Sequence, residues 1–588
     1  MKKWIAILLC LALMLGAMSA CSNNNDKPTD PVPSTTEKQE PDTTTKEGEQ
    51  TAEPTEPAPV AGKLPLVDEP TTIRIGIPQR ENVPDYDENA YTKWLEEVTG
   101  VNLEFVFFSV DETEQVTQLN LMISSGKEKL PDILWGFGGV SNALRNELGE
   151  DGYLVDVMGY MNDLAYWSKE IRATYFTEDE AAKVIQYGID PNNGALYAFP
   201  GYEEGKTDAL NTHALINQKW LDAVGEKVPT TVDELYTVLK KFAEMDPNGN
   251  GQKDELPLTG SDTRYRADIL EYIINAYVYC CDANIYNQTD GKIWVPYTTD
   301  EYREALKFCN KLYKEGLLSP LFYSINANPE LIALNTPSDG VAIAGVIAGH
   351  MTVFNEKDNE LLFDYTVLPP FKAETKLGGY APMTGASFSY NCFVTSDAQD
   401  PELCFKLLDF MSSRESYLHA YYGIEGTDWE RAPEGTVDPE SGRSVDAYVI
   451  VPGIYAGTDK NNHCWHQMRG IYNSMKMPTA ISKDADSTTY TARKNALMTS
   501  IRAAYDKVGM PDNPFQRCIY NAKEDEVIAE YQTGLKDYFA EARALFVSGV
   551  MDPNNDADWN TYLQNLKSLG LDDVLAAVQE AYTRMTQN

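Results

Sequence analysis

Between Asp246 and Glu255 the chain reads DPNGNGQKDE, which puts side-chain oxygens at alternate positions: Asp246, Asn248, Asn250, then Asp254 and Glu255. Gln252 can add its backbone carbonyl. Oxygens spaced this way around a Gly-rich turn are what a hard cation such as Ca²⁺ requires, since it takes roughly six to eight oxygen ligands in flexible geometry. An EF-hand loop closes on a bidentate Glu at its last position. Here that position is Pro257, so the neighbours Asp254 and Glu255 must close the ring. The competing reading is an Asn/Gly-rich surface turn, favoured for its φ > 0 residues. Oxygens in register favour the ion, in a structural role, because the protein fills every ligand position and leaves none open for chemistry.

The residues before the loop explain how it would be held. Thr231-Val-Asp-Glu234 reads as a capping box, with Thr231 at the N-cap. Val232, Leu235, Leu239 and Phe242 recur at helical spacing, and the helix should end at Met245. Elsewhere catalytic patterns are missing: no G-x-S-x-G elbow, no Walker A sequence and no H-E-x-x-H. Gly136-Phe-Gly-Gly139 falls short of a dinucleotide fingerprint. His463 and His466 could share a metal on a helix, but no carboxylate pattern supports them. With 89 acidic residues, carboxylate pairs of the glycosidase kind are uninformative. The expectation is a protein that is not an enzyme.

The amino terminus sets the compartment. Lys2 and Lys3 precede an apolar run, Trp4 to Gly16, and then Ala17-Met-Ser-Ala-Cys21. The run is too short to span ~30 Å of hydrocarbon at ~1.5 Å per residue, and reads as a signal peptide over 1–20. A cysteine directly after small residues resembles the bacterial lipobox, which implies cleavage before Cys21 and its acylation. Two or more chains then give stable membrane attachment. Residues 21–67, rich in Thr, Pro, Asp and Glu, cannot bury enough surface to order themselves and read as an extended tether.

Some 520 residues follow, too many for one core. The formal net charge of −40 argues against nucleic acid and anionic lipid as partners. Apart from Cys10 and Cys21 there are seven cysteines, no two in a C-x-x-C pair, which fits scattered buried thiols. Thr72–Ile77 and Val101–Phe108 alternate as strands, and Ile133–Trp135 is a third. Tyr91–Val98, Gln115–Ser124 and Asp300–Glu315 read as helices. This alternation predicts a parallel sheet with helices on both faces. Gly340–Gly349 reads as a strand, Asp290-Gly291 as a hairpin turn, and Glu524–Tyr582 as mostly helical.

Trp220-Leu-Asp222, Val228-Pro-Thr-Thr231, the helix, and DPNGNGQKDE followed by Leu-Pro resemble the family 1 extracellular solute-binding proteins. More narrowly they resemble the large lipoproteins that serve carbohydrate-importing ABC transporters in gram-positive bacteria. Relatives include alginate-oligosaccharide-binding proteins with a calcium loop of this spacing. Leu130-Pro-Asp-Ile133, Gly194 to Pro200, Tyr422-Gly-Ile-Glu-Gly426 and Phe546 to Tyr582 extend the match along the chain. The resemblance implies an α/β, two-lobed periplasmic-binding-protein-like fold with a hinge, a cleft and a helical C-terminal part. Lobe 1 is expected at about 70–200 and 355–430, and lobe 2 at about 205–350 and 431–588. The resemblance also implies calcium on Asp246, Asn248, Asn250, Gln252, Asp254 and Glu255.

Sugar sites combine flat aromatic platforms with planar polar side chains. Candidates near the expected cleft are Gln79, Arg80, Trp135, Tyr202, Tyr380, Tyr390, Trp429, Trp465 and Arg469. For each aromatic the alternative is packing in a core, and Arg80 could equally pair with a surface acid. The resulting expectation is a monomeric, lipid-anchored receptor on the outer face of a gram-positive cell membrane. It would capture an oligosaccharide, a neutral glycan before an acidic one, and deliver it to ABC permease subunits. A peptide-binding protein, or a surface glycan-binding or hydrolysing lipoprotein, are the alternatives.

Overall fold

Alternating Ile73, Ile75 and Ile77, all buried, make Thr71–Pro78 an inner strand of its sheet, one place from the edge. This strand runs parallel to Val101–Phe108 over its whole length, Thr71 facing Val101 and Pro78 facing Phe108, and parallel to Ile133–Trp135 on its other side. The next strand, Ser387–Val394, is antiparallel to Ile133–Trp135 and to Phe199–Glu203, and Tyr472–Asn473 closes the edge. The six-stranded sheet is therefore mixed where the alternation of strands and helices predicts a parallel one. Ser387–Val394 enters from the far end, after an excursion of the chain through a second core.

The computed structural model describes residues 62–126, 129–203, 213–263, 267–280, 285–325, 328–335, 340–349, 360–383, 386–438, 442–451, 454, 460–465, 472–473, 476–482, 490–511, 514–515 and 517–587. The signal-like segment, Cys21, nearly all of the expected tether and Arg469 lie outside them.

That second core is built on a four-stranded sheet, in the order Tyr365–Val367, Ala214–Asn217, Ala344–Ala348, Leu256–Thr259. Ala344–Ala348 is parallel to Leu256–Thr259 and antiparallel to Ala214–Asn217. Val232–Glu244 packs its buried face (Val232, Leu235, Val238, Leu239, Phe242) on this sheet. The same core takes in the C-terminal helices Ala522–Ser548, Asp556–Ser568 and Leu571–Gln587. A hairpin of Asn287–Thr289 and Lys292–Trp294 turns at Asp290 and Gly291, whose φ values of 51° and 79° are those a tight two-residue loop needs. Among the described residues no helix is long and apolar enough to cross a membrane.

The two cores divide the chain differently from the expected lobes. Leu362, Tyr365, Leu368 and Phe371 belong to the second core, through the pairing of Tyr365–Val367 with Ala214–Asn217. Trp465, Tyr472 and Met477 belong to the first, and Trp429–Arg431, Val445–Val449 and Thr479–Ser482 form a small sheet of their own. The chain thus passes between cores again in its last third, and apolar pattern alone gives no sign of which core a segment joins.

Gly345 lies directly under Phe242: a Cβ there would fall 2.5 Å from Phe242 Cδ2 and 2.9 Å from Pro257 O. Gly345→Ala is expected to destabilise the fold by about 1–3 kcal/mol through overpacking. Phe242→Ala, which empties the same contact from the helix side, is expected to cost about 3–5 kcal/mol. Urea unfolding followed by circular dichroism measures both.

Candidate ligand-binding cleft and calcium loop

In an open α/β sheet, ligands bind beyond the carboxyl ends of parallel strands. In the first core these ends are Gln79, which is exposed, half-buried Arg80, and the turn that follows Trp135. Gln79 still donates its N–H to Phe108 O (2.8 Å), which continues the ladder. Arg80 is set by Tyr86, whose hydroxyl donates to Pro78 O (3.2 Å) and accepts from Arg80 N (3.3 Å). Burial raises the Tyr86 hydroxyl pKa, so it stays neutral. Gly136 takes φ 79° after Trp135, and Phe137 N donates to Asn391 O at 2.9 Å. The glycines that follow are required by close approach: a Cβ on Gly139 would sit 2.4 Å from Glu112 O. In the second core the matching ends are Gly260–Ser261 and Gly349, after the parallel pair Leu256–Thr259 and Ala344–Ala348. Ser261 Oγ is tied to Ile325 O (2.9 Å), and Gly349 N to His213 O (3.0 Å).

Most of the aromatic candidates are not at these ends. Trp465 is fully buried, donates Nε1–H to Thr92 Oγ1 (2.8 Å) and meets Tyr91 and Phe105 edge-on. Trp429 is equally buried and donates to Gly423 O at 3.0 Å. Tyr202 lies between Phe176 and Phe388, with its hydroxyl on Glu180 (3.1 Å). Tyr390 donates to Val184 O at 2.9 Å, under the guanidiniums of Arg145 and Arg517. Trp135 is a core residue of its strand. Packing accounts for these five. Tyr380 is half-buried and lines a cavity of about 710 Å³ with Tyr187, Trp294 and Arg517. Of the sequence candidates, Gln79 and Arg80 stand at the strand ends. Sequence reading passed over Gly260–Ser261 and Gly349; the glycine just past each short apolar strand was the available signal.

Tyr422-Gly-Ile-Glu-Gly426 is a structural turn. Asp428, buried, accepts from Ile424 N (2.8 Å) and pairs with His463 Nδ1 (2.8 Å), and a Cβ on Gly423 would lie 2.5 Å from its carboxylate. Glu415, His419 and Glu425 come together as a metal set would, but Arg431 already bridges both carboxylates, and the hydrogen bond with His419, then that with Arg431, holds Glu415 down to about 2.

The Asp246–Glu255 loop follows its helix as expected. Thr231 caps Val232–Glu244, accepting from Glu234 N at 3.2 Å. The reciprocal half of the box shifts by one residue: the Glu234 carboxylate takes Thr230 N (2.7 Å) and Thr230 Oγ1 (3.0 Å). Inside the loop, Asp246 accepts from Asn250 N (3.1 Å) and Gly251 N (2.9 Å). The amides of Asn248 and Asn250 donate to the two oxygens of Asp254, at 3.1 and 3.0 Å. Glu255 Oε1 is buried with no hydrogen-bond partner, and burial, then Asp254 and Asp246, raise its pKa. The loop carries the oxygen-rich residue types a hard cation takes, with an orphaned buried carboxylate oxygen on Glu255, but Asp246, Asp254 and Glu255 do not draw their carboxylates together as a metal set would. The loop ends in the sheet, since Leu256 N donates to Ile343 O at 2.7 Å and Asn248 Nδ2 to Ala342 O at 3.3 Å.

Residues 79–417 match the bacterial extracellular solute-binding proteins. The chain belongs to that family. It is 25% identical over 513 residues to the fructooligosaccharide ABC transporter substrate-binding protein FusA of Streptococcus pneumoniae serotype 4, covering 86% of this chain and 88% of FusA. Its fold is similar to that of an extracellular solute-binding protein from Bifidobacterium longum subsp. infantis (TM-score 0.69, 19% identity, 88% of this chain and 98% of that one). It is also similar to an EF-hand mutant of S. pneumoniae FusA in complex with fructo-nystose (TM-score 0.64, 22% identity, 88% and 100%). The α/β, two-lobed architecture of this solute-binding protein is thereby shown.

For a solute-binding protein built this way, stability and binding separate by position. Trp465→Ala should cost about 3–5 kcal/mol of stability, while Gln79→Ala, at an exposed strand end, should stay within about 0.5 kcal/mol of the parent. Chemical denaturation of the two variants checks the division.

Proposed function

We propose that this protein is the lipid-anchored, extracellular substrate-binding component of an ABC importer for an oligosaccharide. The observation that carries the reading is the match of residues 79–417 to the extracellular solute-binding proteins, in a chain whose two cores each carry parallel strands ending in open turns, at Gln79–Arg80 and Gly136–Gly139 in one and at Gly260–Ser261 and Gly349 in the other. The fructooligosaccharide relative supports the solute class. The solute enters between the lobes, hinge closure holds it, and the closed form docks on the permease subunits as a monomer. Arg80 and Gln79 offer planar hydrogen-bond donors to sugar hydroxyls. Cys21, acylated after signal cleavage, anchors the chain to the membrane, and residues 21–67 hold the body off it.

Calcium fits the Asp246–Glu255 loop in a structural role. Asp246, Asn248, Asn250, Asp254 and Glu255 supply side-chain oxygens, and Gln252 its backbone carbonyl. The ion would satisfy the buried Glu255 oxygen and tie the end of Val232–Glu244 to the strand Leu256–Thr259.

The first test is thermal melting of the soluble body against oligosaccharides, with kestose and nystose leading the panel and peptides as controls. A sugar-specific rise of several degrees is expected, since a ligand that binds only the native state stabilises it. Arg80→Ala should weaken that sugar about tenfold to a hundredfold, the worth of one or two lost polar contacts. A response to peptides alone would overturn the sugar assignment. In the second test, a chelator should lower the melting temperature of the parent by several degrees, corresponding to about 2.7 kcal/mol when calcium is at a hundred times its Kd. Asp254→Ala should melt low with or without chelator. A parent that ignores the chelator would remove calcium from the account.

A further inference from the structure

Val101–Phe108 ends the six-stranded sheet, and among the described residues no strand pairs with its outer side. One bond decides which of its backbone groups look outward. Gln79 N donates to Phe108 O (2.8 Å), so Phe108 faces Thr71–Pro78. Backbone groups alternate sides along a strand, which turns the N–H and C=O of Val101, Leu103, Phe105 and Phe107 away from the sheet. The first two N–H groups are used: Val101 N donates to Thr99 Oγ1 (3.2 Å), and Leu103 N to Glu96 Oε1 (2.9 Å) on the helix Ala90–Thr99. Among the described residues nothing takes the N–H of Phe105 or of Phe107. An open edge of this kind is a template for another strand.

The side chains at this opening are apolar and held. The rings of Phe105 and Phe107 lie 6.2 Å apart with 9° between their planes. Tyr86 leans on both, at 5.4 and 5.2 Å, and its hydroxyl is fixed on Pro78 O. Phe107 is still 45% exposed. Past the strand, Ser109 is tied to the helix Glu112–Ser125, N to Gln118 Oε1 (2.8 Å) and Oγ to Glu114 Oε2 (2.9 Å), and Val110 is left exposed. Charge brackets the opening. Asp85 and Asp87, on either side of Tyr86, and Asp111, Glu112 and Glu114, just past the strand, are all exposed. Among the described residues none of these five carboxylates pairs with a lysine or arginine.

We propose that the outer edge of Val101–Phe108 docks an extended, basic segment of a partner protein, which joins the sheet as a seventh strand. The backbone groups of Phe105 and Phe107 supply the pairing, as in other strand additions. Apolar side chains at alternate positions of the incoming segment lie on the Phe105–Phe107 face, and its lysines or arginines meet the unpaired carboxylates. A second copy of this chain fits the edge poorly, since it would set the same five acids against each other on two molecules of net charge −40 each. The inference does not depend on which solute the protein carries.

The probe is a fluorescein-labelled peptide, Lys-Val-Lys-Val-Lys-Val-Lys, titrated against the protein by anisotropy at about 0.15 M salt, where bare surface charge is screened. Amide hydrogen exchange read by mass spectrometry locates it. The peptide is expected to bind and to slow exchange in the segment that holds Phe105 and Phe107. Binding should weaken about tenfold when its valines are N-methylated, and about tenfold in Phe107→Pro, which removes one outward N–H and no bond of the ladder. Phe107→Ala, which keeps that N–H, should retain most of the affinity. The N-methylated arm uses the unaltered protein, so it decides the matter even where Phe107→Pro fails to fold. No binding of the basic peptide overturns the proposal. So does equal binding of the N-methylated peptide, which is adsorption on charge, or equal binding of Glu-Val-Glu-Val-Glu-Val-Glu, which removes the role of the acids. A loss in Phe107→Ala as large as that in Phe107→Pro overturns backbone pairing. A parent that dimerises in sedimentation while Phe107→Pro does not assigns the edge to a second copy and overturns the basic partner.

Discussion

The architecture hangs on one strand. Ser387–Val394 comes out of the second core and inserts antiparallel between Ile133–Trp135 and Phe199–Glu203. Every edge the first lobe presents to the second is set from it. Asn391 O holds Phe137 N and so shapes the turn after Trp135, and Phe388 O receives Arg517 from the far lobe. Tyr390 buries its ring beneath Arg145 and anchors the helix Glu178–Gln186 through Val184 O. The strand's pairing with Phe199–Glu203 shifts register between Ser389 and Cys392, an irregularity of the bulge kind. A sheet lacking this strand would leave Ile133–Trp135 with an open edge in the middle of the lobe.

Local signals of helix, strand and turn were legible because each rests on adjacent residues. The Ile73–Ile75–Ile77 alternation, the Thr231 cap and the Asp290-Gly291 turn all formed where the pattern put them. The assignment of segments to lobes and of aromatics to a site is of another kind, because both depend on distant partners. Nothing around Trp465 says that Thr92 waits to accept its indole N–H, or that Tyr91 and Phe105 will enclose it. With 35 tyrosines and 9 tryptophans, two large cores absorb most rings, so an aromatic next to a polar loop carries little information about ligands. Strand ends are better predictors, since Gln79 and Arg80 follow from sheet geometry and not from side-chain type. The cavity wall at Trp294 was half visible: the hairpin could be read, its docking against Gln579 could not.

Glu234 shows how a motif can hold while its mechanism moves. The carboxylate was expected on the N-cap residue's own N–H and instead binds Thr230, one residue earlier. Both arrangements give the first turn an acidic group and hold the incoming chain, so sequence cannot separate them. The loop at the other end of the same helix is more constrained. Its glycines, Gly249 and Gly251, take φ of 71° and 72°, and Asp246 accepts from two backbone N–H groups of the turn they make, Asn250 and Gly251. Asn248 and Asn250 now present their amide nitrogens to Asp254, and these amides need only rotate by half a turn to present oxygen.

The junction between the lobes is polar where each lobe's interior is apolar, and this difference bears on how the molecule moves. Burial pulls the Arg145 guanidinium down to about 10, and Asp525 is raised to about 6 by burial and then by Glu524. Arg145 spends its donors on Asn142 and Asn146, while Arg517 spends one on a backbone carbonyl. Charges taken from water and paired this way add little net stability, but they tolerate few alternative geometries. A greasy junction of the same area would hold one lobe angle tightly and resist opening. Directional contacts such as Arg517 to Phe388 O define a preferred angle yet are replaced by water at small cost when the lobes part. The hinge closure proposed for this chain calls for that combination, directional contacts such as Arg517 to Phe388 O beside two apolar cores.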